Sequence, residues 1–299
     1  AKKLRKYIKK YKINILVGVP TVFDYLTKIK FGPRELKGIK GVVSGGDYIQ
    51  GSSLGAISQG QYIVDLMNLV GYDAVTLGNH EFDYRMERLA ELVGMMDTKP
   101  VCCNFQKIGE TESYFEPYTI VSYGDVDIAY IGITTPHTIT SSSPAQFKDE
   151  SGEYIYTFNP TALYDFVQDA IDSAKSEGAD YVIALSHIGY ADNETYGDLE
   201  DIEDLIGNTD GFDVVLDAHS HSVIEGKTVV DEGGNEVLLS STGTKFEYIG
   251  KLTISGGEFK TELIKTEDYQ KTDPVIDSYI EKINAEYAVL GDRKVAFSE

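Results

Sequence analysis

The sequence predicts an α/β protein whose mixed sheet is layered against helices, and three observations carry that prediction. Amphipathic helices near Gln59 to Leu69, Met86 to Met95, Pro160 to Ser176 and Gly197 to Ile206 alternate with short apolar runs that read as buried strands. Those strands are Ala74 to Leu77, Val101 to Cys103, Val126 to Ile133, Tyr181 to Leu185 and Val214 to Leu216. Two hairpin patterns, Tyr118 to Ser122 with Val126 to Ile133 and Lys227 to Val230 with Glu236 to Ser240, add antiparallel pairs, so the sheet is mixed. With 299 residues and 42% hydrophobic composition, the chain can bury a sizeable core.

Taken in order, residues 1 to 12 place Leu4 and Ile8 on one face of an otherwise basic helix. Ile13 to Val19 reads as a strand, Pro20-Thr21 opens a short helix, and Ile39 to Val43 forms a second strand running into Ser44-Gly45-Gly46-Asp47. Thr138 to Gly152, with its Ser-Ser-Ser-Pro, reads as a surface loop, and Pro274 to Val289 as a terminal helix that packs on the domain or leads out of it. The adjacent Cys102 and Cys103 would point to opposite faces of a strand and make a poor disulfide. No apolar run approaches the ~18 residues of a membrane span.

Charge is distributed unevenly. Net charge is -21, which opposes binding to nucleic-acid polymers and anionic membranes. Yet residues 1 to 40 hold 12 of the 27 basic residues and only Asp24 and Glu35 among the acids. Such a break marks two segments of different character.

The chemistry gathers at strand ends. Gly78-Asn79-His80-Glu81-Phe82-Asp83 follows Ala74 to Leu77; Gly46-Asp47 follows Val42-Val43; Ser186-His187 ends the Tyr181 strand; and Asp217-Ala218-His219-Ser220-His221 ends the Val214 strand. In open α/β sheets, side chains beyond strand C-termini face the ligand crevice. Four of the five histidines stand there, with carboxylates and an amide, and imidazole with oxygen donors suits Zn, Mn, Fe or Co. His219 and His221, two residues apart, cannot easily aim both rings at one ion from a regular strand without a bend; two ions sharing Asp47 use the pair more naturally. Two such ions stabilise the attacking and leaving oxygens of an in-line phosphoryl displacement. Asn104, after another strand, stands open between a substrate-facing and a structural place. His137, in Thr134-Thr135-Pro136-His137, reads as structural.

The ordered motifs Gly46-Asp47-x-x-Gln50-Gly51-Ser52, Gly78 to Asp83, Ser186-His187-x-Gly189 and Asp217-x-His219-Ser220-His221 resemble those of the 5'-nucleotidase family of calcineurin-like metallophosphoesterases, over residues 45 to 290. The resemblance implies a four-layer α/β/β/α sandwich with a dinuclear metal site. It implies that Asp47 bridges two divalent ions, that Asn79, His187 and His219 complete one, and that His221 serves the other. His80 paired with Asp83 is then the catalytic group, and Glu81 is supporting structure. The implied reaction is hydrolysis of nucleotides or other small phosphate esters by metal-bound hydroxide, in a secreted or cell-surface setting, with oligomeric state left open.

Two departures from the family pattern accompany the match. The family's first strand ends in Asp-x-His, whereas here the corresponding strand runs into Val19-Pro20-Thr21-Val22, leaving one ion only Asp47 and His221. This supports an alternative expectation, a catalytically impaired metal- or nucleotide-binding domain. Residues 10 to 47 also resemble an internal piece of an AMP-forming acyl-CoA ligase, through Val17-Gly18-Val19-Pro20-Thr21 and Val43-Ser44-Gly45-Gly46-Asp47. The implied organisation is an atypical segment over 1–46 that supplies the first strands, a phosphoesterase domain over 47–272, and a linker helix over 273–299 without the family's nucleotide-binding C-terminal domain.

Overall fold

The computed structural model describes residues 15–17, 40–51, 53–190, 201–267 and 273–291. The basic helix expected over 1–12, the helix opened by Pro20-Thr21 and the first residues of the helix expected from Gly197 lie outside the described residues.

Two sheets form the centre. The strands are β1 (Ile15–Val17), β2 (Gly41–Ser44), β3 (Ala74–Val75), β4 (Gln106–Lys107), β5 (Tyr118–Ser122), β6 (Asp127–Thr134), β7 (Tyr156–Thr157), β8 (Tyr181–His187), β9 (Val214–Asp217), β10 (Val223–Val230), β11 (Glu236–Thr242), β12 (Tyr248–Ser255) and β13 (Glu258–Lys265). One sheet has the order β13-β12-β1-β2-β3 and the other β10-β11-β9-β8-β6-β5, with β4 and β7 forming a separate ladder. Strands β1, β2 and β3 run parallel, as do β6, β8, β9 and β11, while β5, β10, β12 and β13 pair antiparallel. Both sheets are therefore mixed; the two predicted hairpins, β5–β6 and β10–β11, account for this in the six-stranded sheet, while β12 and β13 make the other one mixed.

Period-two alternation explains why the sheets stack. Ile183, Leu185, Val214 and Leu216 point inward with Tyr130 and meet Val43, Ala74 and Leu252 of the other sheet. Their neighbours Val182, Ala184 and Val215 point outward, under the helices α4 (Leu163–Ser176) and α5 (Ile202–Gly207). These follow α1 (Ser53–Ser58), α2 (Gln61–Val70) and α3 (Met86–Met95) in the chain and precede α6 (Pro274–Gly291). On the opposite side, Val75 and Leu77 lie under α2, α3 and α6. The result is a four-layer α/β/β/α sandwich. Each layer boundary removes apolar side chains from water at about 1.5–3 kcal/mol apiece.

The terminal helix α6 packs on the domain: Ile276, Ile280 and Ile283 enter the core, and the Tyr62 hydroxyl donates to Glu286 at 2.7 Å. Two local expectations require correction. Val101 to Cys103 is not a full strand, because only Val101 bridges, to Thr76. The region expected as a surface loop contains a helical turn, Thr138–Ser141, and a 3-10 turn, Pro144–Phe147. Phe147 draws that segment inward, fully buried 5.4 Å from Phe82 and 5.6 Å from Phe158 between ring centroids. The β12–β13 hairpin is an element that the sequence pattern does not single out. It turns on Gly256 and Gly257, both at positive φ, the geometry a two-residue hairpin turn asks of glycine.

Candidate metal centre

Every strand that delivers a candidate residue is parallel to its neighbours and ends at the same edge of the sandwich. Strand β2 runs into Gly45, Gly46 and Asp47; β3 leads through Leu77 to Asn79 and His80; β8 ends at His187; and β9 leads to His219. The two loops of the first sheet interlock backbone against backbone. A Cβ added to Gly46 would stand 2.4 Å from the Gly78 nitrogen, and one added to Gly78 would stand 2.2 Å from Asp47 Oδ1. Only glycine permits that approach.

Asp47, His187 and His219 each offer a donor atom within 4.8 Å of the others, the only such group of three His, Cys, Asp or Glu among the described residues. His187 is fully buried, and its Nδ1–H donates to the Gly45 carbonyl at 2.6 Å, which fixes the tautomer. Its Nε2 consequently faces Asp47 Oδ2 at 3.0 Å and Asn79 Oδ1 at 3.3 Å. A backbone carbonyl orienting an imidazole in this way is the usual partner of a metal-ligating histidine. Two imidazoles, a carboxylate and an amide oxygen converge, a donor set that fits one divalent transition ion.

Backbone conformation supplies the bend that the His-x-His spacing demands. His219 has φ 81° and His221 φ 56°, both left-handed, and Asp47 joins them at φ 59°. Non-glycine residues in that region cost about 1–3 kcal/mol each and cluster at functional sites. His219 turns toward His187, their ring centroids 5.1 Å apart, and burial together with His187 pushes its pKa down to about 3. A neutral ring is the form that ligates. His221 is exposed and stands outside the three-donor group, within the electrostatic reach of Asp47, His187 and His80. Burial opposes charge on Asp47, but His187 and His80 hold its carboxyl well below the usual range.

His80 sits at the mouth of the site. Its Nδ1 lies 2.7 Å from Asp83 Oδ2, and its backbone N–H donates to Asp47 Oδ1 at 2.9 Å. The Ser142 hydroxyl donates to the other Asp83 oxygen at 3.0 Å and holds that carboxylate in place. The bond to Asp83 is the largest influence on His80 and lifts its pKa to about 9. The ring is therefore cationic at neutral pH while remaining open to a ligand.

Other polar residues of the strand ends take supporting places. Asp217 is buried and accepts from Ser186 Oγ at 2.8 Å and from the Ile188 and Gly189 amides at 3.2 and 3.3 Å, tying the end of β8 to β9. His137, read from sequence as structural, brings its ring 5.7 Å from that of His219. Asn104 does not face the crevice. It is fully buried, donating to the Thr134 and Phe158 carbonyls at 2.7 and 3.0 Å and accepting from the Thr134 amide at 3.0 Å, so its amide serves the backbone.

Comparison with known proteins identifies the family and the fold. A family model described as calcineurin-like phosphoesterase matches residues 19–223. A 2',3'-cyclic-nucleotide 2'-phosphodiesterase/3'-nucleotidase of Haemophilus influenzae is 29% identical over 204 residues, 62% of this chain and 30% of that protein. A 5'-nucleotidase of Bos taurus is 29% identical over 192 residues, 61% of this chain and 29% of that protein. The chain thus matches less than a third of the length of these curated relatives. Among solved structures, a calcineurin-like phosphoesterase from Bacillus subtilis superposes with a TM-score of 0.72 at 21% identity, over 94% of this chain and 99% of that one. A 5'-nucleotidase precursor from Thermus thermophilus gives 0.70 at 22%, over 92% and 53%.

Proposed function

Because the chain belongs to the calcineurin-like phosphoesterase family, we propose that it hydrolyses phosphate esters of nucleotides or comparable small molecules at the Asp47 centre. The observation that carries the reading is the His80–Asp83 pair standing beside a cluster of Asp47, Asn79, His187 and His219. The named relatives, a 5'-nucleotidase and a cyclic-nucleotide phosphodiesterase, support nucleotides as the substrate class.

Asp47, Asn79, His187 and His219 would hold a divalent ion of the Zn, Mn, Fe or Co type, with His221 beside it. Such an ion supplies positive charge for phosphoryl oxygens and a potent nucleophile at neutral pH. The protein residues do the rest. His187, locked by Gly45, keeps its Nε2 turned to the cluster. His80, protonated, presents a donor to the phosphoryl group and delivers its proton to the departing ester oxygen. Asp83 keeps that proton on the ring by accepting from Nδ1, and Ser142 prevents Asp83 from rotating away.

This division of labour predicts a pH dependence with a definite sign. The working form of His80 is the protonated one, so turnover of AMP should persist as pH rises and fall only as pH passes about 9. In Asp83→Asn the carboxylate charge that strengthens this bond and raises the pKa is lost, and the falling limb should move down toward the ordinary histidine value of 6.5. Steady-state rates between pH 5 and 10 on the two proteins test this. A limb at the same pH in both would remove His80 from the acid role.

A further inference from the structure

Glu81 is fully buried and has no role in the chemistry described above. Its carboxylate nevertheless collects four backbone donors. Oε2 accepts from the Asp47 amide at 2.7 Å and the Gly78 amide at 2.6 Å, and Oε1 accepts from Tyr48 at 2.7 Å and Ile49 at 3.1 Å. The donors belong to two different loops, the one after β2 that carries Asp47 and the one after β3 that carries Asn79 and His80. Burying a carboxylate costs several kcal/mol, which charge-assisted bonds from the four amides offset only in part, since burial and the neighbouring Asp47 carboxylate still push the Glu81 pKa up to about 7.

The bonds fall where the two loops must be held in register. Asp47 is kept in left-handed backbone, a state its own side chain does not favour, and three consecutive amides from Asp47 to Ile49 are gathered on one carboxylate. Gly78, the fourth donor, immediately precedes Asn79. We infer that Glu81 is a positioning residue that clamps the Asp47 and Asn79 loops together and so sets the affinity of the centre for its metal ion. The inference rests on the metal-centre reading above. Glu81 acts through the separation and aim of the Asp47 carboxylate and the Asn79 amide, and it touches neither ion nor substrate. Groups that orient metal ligands typically contribute about 10- to 100-fold in metal affinity.

The test is a calorimetric titration of the full chain with Mn²⁺, wild type against Glu81→Gln. Glutamine keeps the size but turns an NH₂ group toward amides that need an acceptor. Mn²⁺ affinity should fall about 10- to 100-fold, and turnover of p-nitrophenyl phosphate should return to within a few-fold of wild type once Mn²⁺ is saturating. Rescue by excess metal is what a purely structural carboxylate would not give. Unchanged Mn²⁺ affinity in a folded Glu81→Gln overturns the inference and leaves the metal centre standing. Should circular dichroism show that variant unfolded, Glu81→Asp, which keeps the charge on a shorter arm, is titrated instead; weaker Mn²⁺ binding supports the clamp, and wild-type affinity overturns it. A wild-type chain that takes up no Mn²⁺ overturns the metal-centre reading and the inference together.

Discussion

His80→Ala is expected to lower kcat/KM for AMP by about 10²- to 10⁴-fold, the range that a positioned general acid contributes, while leaving metal content unchanged. Among the described residues the ring makes one bond, to Asp83, and is not among the donors that converge with Asp47. The backbone amide of residue 80, which binds Asp47 Oδ1, survives the substitution. The loss should therefore appear in the chemical step and not in the scaffold. It should shrink for p-nitrophenyl phosphate, whose leaving group departs without needing a proton. Parallel kinetics on the two esters, with metal analysis of both proteins, check this. Equal losses on the two esters would show that His80 stabilises phosphoryl charge and does not protonate the leaving oxygen.

The second large effect is expected at a residue that bears no functional group. In Gly78→Ala the added methyl would lie 2.2 Å from Asp47 Oδ1 and 2.6 and 2.7 Å from Cε1 and Nε2 of His187. Neither neighbour can yield freely, since His187 is tethered to the Gly45 carbonyl and the Asp47 loop is packed against Gly78 itself. A displacement of about 1 Å in a positioned group can cost ~10²-fold in rate, and here Asp47 and His187, two of the proposed ligands, would move together. Gly78→Ala should lose at least that much activity and bind Mn²⁺ more weakly. Full activity in this variant would mean that the Asp47–His187 geometry is not the working one.

The parts of the site that the sequence discloses are those whose side chains sit directly beyond apolar strands. Asp47, Asn79, His187 and His219 share that placement, and parallel strands necessarily deliver such residues to one edge. What the sequence does not disclose depends on backbone. The bonds of Glu81 to Asp47, Tyr48, Ile49 and Gly78 join a side chain to amides, which every residue but proline possesses, so residue types give no sign of the partner. Ser142 is one of three consecutive serines, and only the fold shows which of them reaches Asp83. The left-handed φ at His219 and His221 is likewise invisible in a His-Ser-His string, although the need for a bend follows from the spacing.

Fold-level errors have similar causes. Polar composition over residues 138–152 outweighs Phe147, yet a single fully buried aromatic suffices to pull the segment onto Phe82 and Phe158. Asn104 has the look of a crevice residue because it follows an apolar run. Its neighbours Cys102, Cys103 and Phe105 are all buried, and the amide between them must satisfy itself on Thr134 and Phe158.

Turnover of a phosphate ester by this chain should depend on both the ion and His80. The direct measurement is AMP hydrolysis by the purified chain after chelation and again after stepwise return of Mn²⁺, with bound metal counted alongside and His80→Ala as control. Turnover should be absent after chelation, its recovery should track occupancy of the Asp47–Asn79–His187–His219 centre, and His80→Ala should show no comparable recovery. Turnover indifferent to the ion, or wild-type turnover no greater than that of His80→Ala at full occupancy, would rule out a reaction that uses both the ion and His80.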